Sequence, residues 1–267
     1  KRSDMNIPQI HKPRTLLLAA LLLAVSLPLA AQDAAPAQMI SPEAKAVLDR
    51  MTTYLRSLKT FQIESYPSRD EVTALGYKVQ NNEHSIVTVS HPNKLRSVVT
   101  GDIRDRTYIY DGAKLTIYSP EDKVFARVDA PESTAKLIGG LLNAGIEMPM
   151  IDVLYQANAG TLTEDVRGGL LVGETMIDGV ACDHLAFRQA TIDWQLWVEK
   201  GARPLPRKIL ITTRYEVGDP QYQATMKWNL QPKIDSSTFV FTPPEGVKEI
   251  PFNDPASLKE VTAGGDR

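Results

Sequence analysis

The spacing of apolar residues along the chain switches from helical to strand-like, back to helical, and then to strand-like again. Ala44, Val47, Leu48, Met51, Tyr54, Leu55 and Leu58 recur three or four apart, drawing one stripe along an amphipathic helix. Ser41-Pro42-Glu43 opens it with a capping hydroxyl, a proline suited to the first helical position and an acid facing the positive end of the dipole. From Phe61 to Val128 the period falls to two, as in Thr73, Leu75, Tyr77 and Val79. Turn signals interrupt at Asn81-Asn82, His91-Pro92-Asn93, Gly101-Asp102, Asp111-Gly112 and Ser119 to Asp122. Strands are predicted near 60–66, 71–79, 83–90, 95–100, 106–110, 114–118 and 123–128. Loops this short join only antiparallel neighbours.

Leu137, Ile138, Leu141 and Leu142 mark a short apolar helix weakened by Gly139-Gly140, and Pro149 starts a second through Ile151, Val153, Leu154 and Tyr155. Beyond Gly168-Gly169 strands resume: 173–177 and 180–188 about the Asp178-Gly179 turn, then 192–199, 206–214 and 222–228. Trp194 and Trp197 lie on opposite faces of one strand, which implies cover on both sides. Phe239-Val240-Phe241 before Pro243-Pro244 closes the domain. One α+β, mainly antiparallel domain is expected over residues 38–252, followed by a polar tail over 253–267.

The first 37 residues read differently. Lys12 and Arg14 precede an uncharged run, Leu16 to Ala31, and small residues follow, with Ala35-Pro36-Ala37 matching an Ala-x-Ala cleavage site. Basic, apolar, small is the order of a secretory signal peptide. The run is shorter than the roughly 20 apolar residues of a spanning helix. The mature chain is therefore expected in the periplasm, not integral to the membrane. Removing residues 1–37, which hold four basic and two acidic residues, moves the formal charge from −2 to −4. No basic block supports nucleic-acid binding.

Chemistry is sparse. One cysteine permits no internal disulfide and no cysteine-based metal centre, and four histidines are the whole imidazole supply. Cys182 and His184 share a strand face near Asp183 and Asp193, the one pair worth testing as nucleophile and base. No Gly-x-Ser-x-Gly or phosphate-binding loop occurs. His84 and His91, seven apart on a strand, fall on opposite faces. Arg203, Arg207 and Lys208 form a local basic cluster that is either a solvated strand entry or a contact for a partner. No catalytic residue, metal or cofactor is expected.

The order of elements, one helix, a long meander, inserted helices and more antiparallel strands, resembles the outer-membrane lipoprotein carriers and receptors LolA and LolB. It also resembles a family of predicted periplasmic proteins of unknown function. The residues carrying the latter are Met148-Pro149 to Leu154-Tyr155, Asp178 to Phe187, Asp193 to Trp197, Pro204 to Lys208 and the Phe239 to Phe252 stretch. The resemblance implies an incomplete, half-open barrel wrapping the N-terminal helix and the short inserted helices around an apolar cavity.

The leading expectation is a non-enzymatic carrier or sensor of a lipid or other hydrophobic ligand. Its expected lining is Leu75, Tyr77, Val87, Val89, Tyr108, Tyr110, Leu115, Ile117, Leu137, Leu141, Val153 and Leu154. The alternative is a protein-interaction or stress-signalling module that engages a periplasmic partner. Intact-mass measurement of the periplasmic protein should show cleavage between Ala31 and Gln38. Residues 15–31 retained in the membrane fraction would contradict the signal-peptide reading.

Overall fold

A computed structural model describes residues 39–143 and 149–252. The expected signal segment and the C-terminal tail lie outside the described residues. After β1 (Met39–Ile40) comes α1 (Pro42–Ser57), whose Ser41 cap accepts a 3.2 Å hydrogen bond from the Ala44 amide. This satisfies one of the donors that a helix start leaves without an intrahelical partner. Ala44, Val47, Leu48, Met51 and Leu55, the face expected from the spacing, are buried.

Six strands follow as a meander: β2 (Thr60–Val72), β3 (Lys78–Ser90), β4 (Lys94–Gly101), β5 (Arg106–Tyr110), β6 (Lys114–Ser119) and β7 (Val124–Asp129). Two helices come next, α2 (Thr134–Asn143) and α3 (Pro149–Ala159). A second meander follows: β8 (Gly168–Ile177), β9 (Val180–Arg188), β10 (Ile192–Glu199), β11 (Pro206–Thr213) and β12 (Gln221–Asn229). Its last strand pairs antiparallel with β2, joining the two meanders into one 13-stranded sheet. β1 lies parallel to the start of β8, and β13 (Lys248–Ile250) lies parallel to β7. The two ends of the sheet do not pair with each other, so the barrel stays open.

Register aligns the apolar positions. Phe61, Val89, Leu95, Tyr110, Leu115 and Val128 stand opposite one another in turn across β2 to β7. Leu185, Leu196, Ile209 and Ala224 do the same across β9 to β12. Together with the buried faces of α1, α2 and α3 they form one core. At the β8–β9 turn Asp178 and Gly179 both take positive φ, 47° and 78°, the geometry expected of Asp-Gly between right-twisted strands. Gly169 is needed for a different reason: a Cβ there would stand 2.5 Å from the Phe187 ring, which stacks on Trp194 at 4.1 Å.

The opposite, outer face carries a strap formed by the residues after β12. Phe239 to Phe241 form no strand; Phe241 instead packs on Tyr118 and Phe125 with ring centroids 5.3 and 5.1 Å apart. Trp197 is covered on this face by His184 and Lys208, while Trp194 joins the core, as their opposite orientations required.

Two stretches depart from expectation; one is β8, which begins at Gly168 and not at Gly173, and the other is the first hairpin tip. The separate strand near 71–79 does not exist. β2 runs on to Val72, β3 begins at Lys78, and Thr73 to Tyr77 make the turn, closed by Thr73 and Tyr77 amide–carbonyl and hydroxyl bonds. Asn81 and Asn82 are no turn but ladder partners of Arg69 and Ser68. The alternation of Leu75 and Tyr77 therefore belongs to an exposed tip. A fold held by the inner face makes a contrast measurable in urea unfolding. Ile63→Ala, at a fully buried position, should cost about 2–5 kcal/mol. Leu75→Asp should stay within about 0.5 kcal/mol of the parent.

Candidate functional site

The helices do not fill the concave face completely, and among the cavities that remain two lie on either side of α3. The smaller, about 460 Å³, lies among the C-terminal end of α1, the start of α2, α3 and strands β2 to β4. Its inner wall is Phe61, Val87, Val89, Leu95, Ile138, Ile151 and Leu154, all buried. Its open end is exposed and polar, made by Arg56, Ser57, Lys59, His91, Pro92 and Ala135. Arg56 also borders a third cavity, of about 450 Å³, between α1 and the end of α3, and its guanidinium turns to that side, donating to the Ala157 carbonyl at 3.1 Å. His91 sits 5.9 Å from the Phe61 ring; the residue as a whole is exposed, and partial desolvation of the ring lowers its imidazole pKa.

The larger cavity, about 650 Å³, lies between α3 and strands β10 to β12. Trp194, Ile209, Ile211 and Tyr222 floor it, but its charged groups are mainly acidic: Asp70, Asp152, Glu164, Asp165 and Glu216 against Arg69. Burial raises the Tyr222 phenol pKa well above its ordinary value. α3 is thus a partition. Ile151 and Leu154 face the apolar cavity, Asp152, Val153 and Gln156 the acidic one, and Tyr155 borders both.

Against the expected lining, the structure brings Val87, Val89 and Leu154 together in the apolar cavity and puts Val153 across the partition. Tyr110, Leu115, Leu137 and Leu141 are buried core and line neither cavity; the Tyr110 hydroxyl donates to the Pro131 carbonyl at 2.5 Å. Burial pushes that phenol up to about 12. Tyr108 and Ile117 are half-buried against the same core. Leu75 and Tyr77 depart from the expectation: at 84% and 70% exposure on the hairpin tip they border neither cavity. Sequence reasoning missed Phe61, Leu95, Ile138 and Ile151 as lining. Register opposite Val89 would have found Phe61 and Leu95.

The other candidate chemistry is dispersed. Cys182 is buried on the outer face with its thiol 3.4 Å from the Val180 carbonyl, and burial raises its pKa. His184 exchanges a 2.8 Å hydrogen bond with Gln195 and stacks on Trp197 at 4.2 Å. Asp183 points the other way, to Arg50 of α1 at 3.2 Å. His84 bonds Glu64 at 3.0 Å on the outer face, far along the strand from His91. Arg207 and Arg203 both pair with Glu199, and Lys208 lies over the Trp197 ring, so the basic cluster is engaged within the chain.

Residues 44–253 match the family described as "Predicted periplasmic protein (DUF2092)". Among solved structures, lipoprotein LppX of Mycobacterium tuberculosis is 13% identical with a TM-score of 0.47, covering 73% of this chain and 100% of that one. LprF of Mycobacterium bovis is 10% identical with a TM-score of 0.45, covering 73% and 97%. A LolA superfamily protein of Nitrosomonas europaea is 13% identical with a TM-score of 0.36, covering 74% and 97%. No curated protein matches the chain. No helix among the described residues is long and apolar enough to cross a membrane.

A buried thiol with a raised pKa holds little thiolate at neutral pH. Cys182 in the folded protein should therefore react with a thiol reagent far more slowly than in urea. Equal rates in the two conditions would contradict the burial.

Proposed function

We propose that this chain, which belongs to the family of predicted periplasmic proteins matched above, is a non-enzymatic binding protein that carries or senses a lipid or other hydrophobic ligand. The observation that supports the reading is the 460 Å³ cavity, whose inner wall is wholly apolar and buried. A void of that size under helices is costly to leave empty, since its walls forgo the dispersion contacts that packing elsewhere supplies. Water gains little from entering a site without polar partners, so an apolar ligand is the natural occupant. The covering helices suit entry and exit. α2 carries Gly139-Gly140 in its middle, and weak helices open at low free-energy cost.

The protein-interaction reading has one feature in its favour. Leu75 and Tyr77 are exposed at the β2–β3 tip, and Val217, 85% exposed, lies in a loop where a Cβ at Gly218 would stand 3.4 Å from Val72 at the base of the same tip. An apolar tip of this kind can seat a partner protein, but it explains neither the cavity nor its graded lining.

An uncharged probe tests the carrier reading without involving the polar rim. Nile red should bind the parent protein with enhanced fluorescence. Val89→Trp, which places an indole in the void, should weaken binding at least about tenfold, or about 1.4 kcal/mol, with thermal unfolding unchanged or raised. Unchanged probe affinity in this variant would remove the cavity from the account.

A further inference from the structure

Resting on that reading, we infer that the ligand is a single-chain amphiphile with an anionic head group, its acyl chain in the apolar cavity and its head at the rim formed by Lys59 and the start of α2. The inference comes from three features of one cavity. The first is volume. At about 30 Å³ per heavy atom, the share of a water molecule in the liquid, 460 Å³ holds about fifteen heavy atoms. That is one chain of about twelve carbons with its head group, and not the two or three chains of a diacyl or triacyl lipid.

The second feature is gradation. The lining passes from buried aliphatic and aromatic side chains to an exposed polar rim within one cavity, the profile of an amphiphile rather than of a wholly apolar molecule. The third is charge. Lys59 lies in the rim, and no acidic residue lines this cavity among the described residues. Glu132, the acid next to the rim segment at Ser133, is already paired with Lys136 at 3.1 Å. α2 also begins here, with Ser133 and Thr134 in the lining, so the positive end of its dipole adds to the same field. Across α3 the acidic cavity has the opposite sign and repels an anionic head. The two compartments thus sort a ligand by charge: the chain can enter on one side of α3 only with the head at the basic rim.

A carboxylate and a phosphate monoester would both satisfy this rim, so a fatty acid and a lysophospholipid share the recognised chemistry. Displacement of Nile red by matched single-chain ligands decides the matter. Laurate should compete about tenfold or more better than dodecanol, and dodecyltrimethylammonium should be worst. Lys59→Glu, at an exposed position with no ion pair among the described residues, should erase the preference for laurate over dodecanol while leaving thermal stability unchanged. Added salt should shrink the preference in the parent protein, because the rim charges are exposed. A lysophosphatidic acid better than laurate would assign the head as phosphate; the reverse order would assign a carboxylate.

Equal competition by laurate and dodecanol, or a preference that survives Lys59→Glu, would overturn the anionic head group and leave the apolar cavity standing. A diacyl phosphatidic acid that competes better than its single-chain counterpart would overturn the single chain. Failure of Nile red and of every amphiphile to bind would overturn the carrier reading itself and this inference with it.

Discussion

An antiparallel sheet that curls without closing buries its inner face only if something fills the space its curvature encloses. Here the filling is α1, α2 and α3, and almost every other feature follows from that demand. The inner rows of β2 to β7 and β9 to β12 are apolar where the helices press on them. β12 pairs with β2, so that both meanders present their inner faces to the same three helices. Apolar burial of this extent is the dominant favourable term in such a fold, and the strap of Phe239 and Phe241 extends it to the outer face.

Three helices of modest length cannot match the sheet's curvature everywhere. Part of the mismatch falls on either side of α3, and the residues on its two faces give those voids opposite character. A helix with Ile151 and Leu154 on one side and Asp152 and Gln156 on the other separates an apolar compartment from an acidic one. The same helix therefore does structural work as part of the core and chemical work as a dividing wall. Changes along it should register in both stability and binding, whereas changes at Lys59 should register in binding alone.

Much of this architecture was legible in the residues. Helical spacing from Ala44 to Leu58, the Ser41-Pro42 cap, the Asp178-Gly179 hairpin and the opposed tryptophans are local signals, and the structure follows them. The hairpin tip was misread because alternation at Leu75, Tyr77 and Val79 looks the same whether a strand pairs inside a sheet or runs out to a turn. Only the ladder, with Asn81 opposite Arg69, distinguishes them. The lining of the apolar cavity was legible at Val87, Val89 and Leu154 but not at Phe61, Leu95 or Ile151. Whether a buried apolar residue fills the core or borders a void depends on helix placement, which no periodicity encodes. Leu137 and Leu141 show the converse: their spacing marks a buried face, and that face is solid core.

The central claim is that the apolar space beside α3 is a ligand site and not a packing defect. Native mass spectrometry of the protein purified from periplasm under non-denaturing conditions tests it most directly. The account predicts a population carrying the added mass of one single-chain lipid, lost in Val89→Trp. A spectrum containing only the unliganded mass, unchanged after incubation with amphiphiles that form no complex, would contradict it.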